Sequence, residues 1–545
     1  MKKIFSTVVI LCISLCLIAC TTPESNPNPP IDSEPPNEEE NNFGDVITNV
    51  ADDTWKAFVS YQPTFEINEA VSETETEIEL HYTVSDGVVL QRNAINIIRG
   101  RLNDQSTQIA VKFMEIMYYG IVENDEFMVY IPATVVGGAY DLAIYSEYFK
   151  KTIQVYVGDV YLLTGQSNMS WSINKLIEFG YSAVDKITAN NDYIRILPGF
   201  LWANPVGYAS GYAVSDEPFP DSRFETTNWL KATPENVGNT SAIGYLFAKE
   251  LQEKTGIPIG LVATAVGGTA ATYWMSDGVF RHLNETLPGG IKVGSSINNQ
   301  PSHGFNALIY SLRYVRFAGA LWYQGENNID HFETYEAELT AIIESYRQFL
   351  HRDNMVWFLF ELARYGAMSP RYEEGWAQIN MAIKRVTEKL DNVFLAQNFE
   401  GDYTAIHPMN KKPIALRAAN IALNKLYDKE SLTAYPNIKS YTVISETKVE
   451  IEVENATGLY LKNGSNGFEV NPVFTVGQPL SPIKTPTVVI QGNKITITYI
   501  EPITEIRYGY RYRYESGDER RQIDKQISAF NAAGLPLDYF VIKLA

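Results

Sequence analysis

Apolar and polar residues alternate over Ile78, Leu80 and Tyr82, and turn pairs recur at Asp86-Gly87 and Gly137-Gly138. This period of two, without helical spacing across residues 51–156, predicts a small β-sandwich. Over 157–430 the period changes. Val160-Tyr161-Leu162-Leu163 is a short apolar run entering the polar turn Gly165-Gln166-Ser167-Asn168-Met169, as a buried strand enters a loop. Ser241 is placed to cap a helix whose apolar positions Ile243, Leu246, Phe247 and Leu251 share one face, and Gly256 is placed to end it. Ile257 to Ala263 predicts a strand followed by the tight loop Gly267-Gly268-Thr269. Gly319 to Tyr323 predicts another, running into Gln324-Gly325-Glu326-Asn327. Pro413 opens a last helix carrying Ile414, Leu416, Ile421 and Leu423. Strands alternating with helices predict an α/β fold, a parallel sheet covered on both faces. Over 431–545 the period of two returns at Val449, Ile451 and Val453, and Gly492-Asn493 predicts a hairpin turn.

The first nineteen residues depart from all of this. Met1-Lys2-Lys3 is basic, and Ile4 to Ile18 is apolar but short for a membrane span. The run ends Leu17-Ile18-Ala19-Cys20, which resembles a bacterial lipoprotein cleavage box with Cys20 as the lipidated residue. Cys12, Cys16 and Cys20 are the three cysteines, so the chain beyond the leader has neither a disulfide nor a cysteine nucleophile available. Residues 20–50, rich in Pro, Asn and Glu, are expected to form a disordered spacer. The expected setting is a bacterial cell envelope, with the protein held to the membrane by its lipid.

Composition excludes some classes. With 45% hydrophobic and 20% charged residues the chain is globular overall. A net charge of −20 makes nucleic acid a poor partner. No His-Glu-x-x-His pattern or phosphate-binding glycine loop occurs, so neither a metal nor another cofactor is expected.

The strand ends carry the candidate chemistry. A serine hydroxyl needs a base within hydrogen-bond reach. Of six histidines, His407 has a suggestive setting, in Asp402-Tyr403-Thr404-Ala405-Ile406-His407-Pro408 before the last α/β helix. His81 lies in a predicted strand, His331 in an acidic stretch and His351 beside Arg352, as ordinary surface or core histidines do; His282 and His303 lack distinguishing context. A tetrahedral intermediate also needs preorganised donors, and the Ser167 N–H, the Gly268 N–H and the Gln324 amide are candidates.

Together, Gly165 to Met169, Gly267-Gly268-Thr269, Trp322 to Glu326 and Ile406-His407-Pro408 resemble the sialate O-acetylesterase family, within the SGNH hydrolases. The resemblance extends to Val89-Leu90-Gln91-Arg92, Gly158-Asp159-Val160 and Asn531 to Pro536. It implies an SGNH-type parallel sheet flanked by helices, between N-terminal and C-terminal β domains. It also implies a serine esterase acting on an O-acetylated glycan, with Ser167 as nucleophile and His407 as base. Ser167, Gly268 and Gln324 would form the oxyanion hole, while Gln166, Asn168, Glu326 and Asn327 would order loops or touch the sugar. The substrate most in keeping with the family is O-acetylated sialic acid; related enzymes act on acetylxylan and other plant glycans. Arg223 and Arg417 are cations available for a sialate carboxylate.

One position departs from the pattern. SGNH hydrolases usually carry aspartate three residues before the histidine, where this chain has Thr404. Asp402 is the nearest carboxylate, Glu400 a further one, and a backbone carbonyl could orient the ring instead. Two other classes compete. The 12% of aromatic residues, including Tyr508, Tyr510, Tyr512 and Tyr514 in alternation, suit a non-catalytic carbohydrate-binding lipoprotein. A lipase-type elbow wants glycine two residues after the serine, where this chain has Met169. Oligomeric state is not legible in the sequence.

Overall fold

The computed structural model describes residues 66–544, apart from 134, 199–214, 219–227, 295–298, 364, 366–369, 399–404, 430–434, 463–466, 473–483 and 510–526. The leader, Cys20 and the spacer lie outside the described residues, as do Arg223, Glu400, Asp402, Tyr510, Tyr512 and Tyr514.

A single strand, Phe149–Gly165, organises the molecule. Its first half pairs antiparallel with Gly137–Tyr145 and parallel with Val88–Gln91. Its second half enters the α/β sheet, where residues 155–165 are buried without a break. Such a run cannot alternate, because a sheet covered by helices buries both faces. The strand passes through positions 156 and 157 uninterrupted, and one hydrophobic core extends from Ile78 to Tyr427 across both regions. A second β-sheet, containing Ile78–Leu80, Ala94–Leu102, Ile121–Glu123 and Glu126–Ala133, completes the N-terminal β region. The alternation through Tyr82 stops early. The strand ends at Leu80, and His81 caps a 3-10 turn over Tyr82–Val84 by accepting from the Thr83 N–H, so His81 is a cap and not a strand residue.

We number the strands of the central sheet in chain order: β1 Phe149–Gly165, β2 Asn191–Leu197, β3 Leu230–Ala232, β4 Ile259–Ala263, β5 Gly319–Tyr323, β6 Val356–Phe360 and β7 Val393–Ala396. Their spatial order is β3-β2-β4-β1-β5-β6-β7, parallel except for β3. Side chains alternate between two helical layers. Tyr161 and Phe358 meet Phe247 of helix Ala242–Thr255, at 4.9 and 5.6 Å between ring centroids. Trp357, of opposite parity, meets Tyr346 of helix Tyr335–Phe349 at 5.7 Å. The Ser241 hydroxyl caps helix Ala242–Thr255 and Gly256 ends it in the left-handed conformation, as the sequence predicts.

The C-terminal region has its own core around Val449, Ile451, Ile495 and Ile497. Lys448–Glu454 and the hairpin Thr487–Gln491/Lys494–Thr498 belong to its four-stranded sheet. Tyr508, on strand Glu505–Tyr508 of a separate three-stranded sheet, is buried in the same core, its hydroxyl accepting from the Ser528 and Ala529 N–H groups, so this tyrosine packs a core and offers no ring to a sugar.

Candidate active site

The strand order places the site. Because β4 and β5 flank β1, the loops leaving all three meet at one point on the carboxyl edge. There the chain crosses from one half of the sheet to the other, the location where open α/β sheets bind ligands. Gly165 makes the junction possible, since a Cβ there would lie 2.3 Å from the Tyr323 carbonyl oxygen on β5. The Gln166 N–H then donates to that same oxygen at 2.8 Å, and Ser167 opens the one-turn helix Ser167–Ser170. The first N–H groups of a helix have no partner within it. Among the described residues, neither the Ser167 N–H nor the Gly268 N–H donates to a protein acceptor, and Gly268 adopts φ 72°, a conformation suited to glycine.

His407 reaches Ser167 from the loop after β7. Its Nε2 lies 2.7 Å from Ser167 Oγ. One face of the ring stacks on Trp171, at 4.4 Å between centroids and 24° between planes. Burial, followed by the positive charge of Lys411, lowers the imidazole pKa to about 4, so the ring is neutral and able to accept a proton at ordinary pH.

Gln324 behaves otherwise than expected. It is fully buried, and its Nε2 donates to the Thr269 carbonyl at 3.0 Å and to Asn328 Oδ1 at 2.8 Å. A primary amide has two N–H donors, and both are engaged. Gln324 therefore ties the β5 loop to the β4 loop instead of presenting a free oxyanion donor. The reason is burial, since an amide without water must satisfy its hydrogens on protein.

The neighbouring polar residues mostly hold the loops. Gln166 Oε1 accepts from the Asn327 N–H at 3.3 Å. Asn327 Nδ2 donates to the Gly268 carbonyl at 3.0 Å and to Asn299 Oδ1. Asn168 Nδ2 donates to Glu326 Oε1 at 2.5 Å and to the Ile406 carbonyl at 3.1 Å, while Asn168 Oδ1 accepts from Lys411 Nζ. Burial raises the pKa of Glu326 and lowers that of Lys411 to about 7, an effect the Glu326 charge opposes. Arg417 donates to the Gln397 carbonyl at 2.9 Å and contacts Tyr435, so it is anchored locally. His303 lies 3.0 Å from Asp216, in a pair separate from Ser167.

Sequence reasoning missed Trp171 and Lys411. In Asn410-Lys411-Lys412 nothing distinguishes one lysine from the next, yet Lys411 is 1% exposed and the Lys412 side chain 42%. The available signal was position, since Lys411 lies four residues after His407 and is the N-cap of helix Lys412–Leu426.

Residues 157–407 match the family described as carbohydrate esterase, sialic acid-specific acetylesterase, which bears out the resemblance read from the four motifs. The sialate O-acetylesterase of Homo sapiens is 26% identical over 339 residues, covering 57% of this chain and 62% of its own length. That of Mus musculus is 26% identical over 328 residues, covering 51% and 58%. The chain thus spans less than two thirds of the curated relatives it matches. The crystal structure of a carbohydrate acetylesterase from Xanthomonas citri covers 86% of this chain and 100% of its own, with TM-score 0.70 and 24% identity. At that identity the likeness is one of fold, and it supports the α/β sheet flanked by helices with added β regions.

Proposed function

We propose that this chain, whose residues 157–407 match the sialic acid-specific acetylesterase family, is a serine esterase that removes O-acetyl groups from carbohydrate. The observation that carries the reading is the 2.7 Å approach of His407 Nε2 to Ser167 Oγ. Ser167 Oγ attacks the acetyl carbonyl while His407 takes its proton, and the resulting oxyanion is held by the Ser167 and Gly268 N–H groups. Collapse expels the sugar oxygen, which receives the proton from His407. Water activated by the same imidazole then releases acetate and frees Ser167. Asp402 orients the imidazole in this proposal, and the substrate in keeping with the matched family is O-acetylated sialic acid. Acylation of Cys20 at a bacterial envelope belongs to the same proposal and rests on the leader sequence.

Acetate release by the chain lacking residues 1–50 tests the reading, with acetylated sialic acid and acetylxylan compared. Release that Ser167→Ala lowers by about 10³-fold or more supports it. No release, or release indifferent to Ser167→Ala, refutes it. If Asp402→Asn keeps near-normal turnover while His407→Ala does not, Ser167 and His407 work as a dyad.

A further inference from the structure

Asn168 stands at the centre of an arrangement that the proposed mechanism leaves unused. Its one side chain touches the loops bearing both partners of the Ser167–His407 pair. It sits next to Ser167, its Nδ2 binds the carbonyl of Ile406, and Ile406 precedes His407. The amide is also set between two buried ionisable groups. Lys411 Nζ donates to Oδ1, and Glu326 Oε1 accepts from Nδ2 at 2.5 Å. Lys411 and Glu326 are 1% and 5% exposed, and the ammonium lies 5.5 Å over the Tyr323 ring.

An asparagine amide has nearly equivalent shapes in its two flipped orientations, and hydrogen bonding decides between them. Here charge decides. The carbonyl end must face the ammonium and the NH₂ end the carboxylate, because the flipped amide would set donor against donor and acceptor against acceptor. In the selected orientation the second Nδ2 hydrogen reaches Ile406. We propose that Lys411 is a positioning residue: with Glu326 it locks the Asn168 amide in the orientation that ties the Ile406–His407 loop to the Ser167 turn. This inference rests on the serine-esterase reading. Among the described residues, Lys411 is the charged group that bears on His407 and Glu326 the one that bears on Lys411, with Ser167 and Trp171 as uncharged neighbours of the ring.

The test compares Lys411→Met, Lys411→Arg and the double variant Lys411→Met/Glu326→Gln in the chain lacking residues 1–50. Two readouts are used: kcat and KM for an uncharged acetyl ester, and the His407 titration followed by ¹⁵N-histidine NMR. Lys411→Met is expected to lower kcat about tenfold or more with KM changed less than about twofold, as misplacement of a reacting group does. It should also move the His407 titration upward from about 4, because the Lys411 charge is gone. Lys411→Arg should retain more activity than Lys411→Met. The double variant strands no charge, so it guards against simple misfolding, and it should remain slow. Wild-type kcat in the double variant, or an unmoved His407 titration in Lys411→Met, overturns the inference. Failure of the esterase reading shows separately, as absent acetate release by the wild type, and the NMR titration still tests Lys411 in that case.

Discussion

His407 and Trp171 lie face to face, 4.4 Å between ring centroids, with the imidazole edge directed at Ser167. The indole also stacks on Phe179 at 5.5 Å, so its own orientation is held from a second ring. Stacked aromatic pairs contribute about 0.5–1.5 kcal/mol beyond their buried area. If the stack orients the base, Trp171→Ala lowers kcat about tenfold, while Trp171→Phe retains most of it. Steady-state acetate release decides this, and an unchanged kcat in Trp171→Ala would assign orientation of the ring elsewhere.

Gln324 separates two roles that activity alone would merge. Its amide joins the Thr269 carbonyl to Asn328, so Gln324→Ala strands buried polar groups at a cost of about 1–3 kcal/mol. Both kcat and the thermal midpoint are expected to fall. Loss of kcat with an unmoved midpoint would return the amide to the oxyanion hole.

The pH dependence follows from His407. An unfolded chain binds a proton on this ring near pH 6.5, whereas the folded chain takes it only near 4. The unfolded state binds more protons in that window. Stability from this group is therefore complete above pH 6.5 and declines as pH falls from 6.5 toward 4. Activity should follow the neutral imidazole. A profile of kcat/KM against pH should rise with a midpoint near 4 and stay level until Lys411, its pKa lowered to about 7, begins to lose its charge. A midpoint near 6.5 would mean that the ring is solvated in the working protein.

The C-terminal region is fastened to helix Pro370–Lys389 by a buried ion pair, Lys384 Nζ to Asp538 Oδ2 at 2.6 Å. The Tyr539 hydroxyl adds a bond to the Asn380 carbonyl at 2.8 Å. Removing one member of such a pair leaves an uncompensated charge and costs about 3–5 kcal/mol. Lys384→Met should therefore lower the unfolding midpoint strongly, and Lys384→Met/Asp538→Leu should recover part of the loss. Equal midpoints for wild type and Lys384→Met in chemical denaturation would show that the pair contributes nothing.

Much was legible in the chain because local chemistry dictates it. Ser241 and Gly256 bound a helix wherever they flank Ile243, Leu246 and Leu251, and Val449, Ile451 and Val453 can share one face only in a strand. Ser167, Gly268 and Gln324 could be grouped as neighbours because each follows an apolar run, and a parallel sheet gathers its loops at one edge. Tyr82 shows the limit, since a polar contact from His81 to the next turn ended the alternation.

The sequence by itself determined the α/β class, the flanking β regions, the serine and its histidine, and the family likeness. These depend on periodicity and on motifs in order, which a linear chain displays. Tertiary structure alone decided what each polar group is free to do. Burial committed both Gln324 donors to loops, and it set Lys411 against Asn168 while its exposed neighbour Lys412 reached the buried Asp185. Solvent access and hydrogen-bond partners are properties of three-dimensional neighbours, and identical residue types acquire different roles from them.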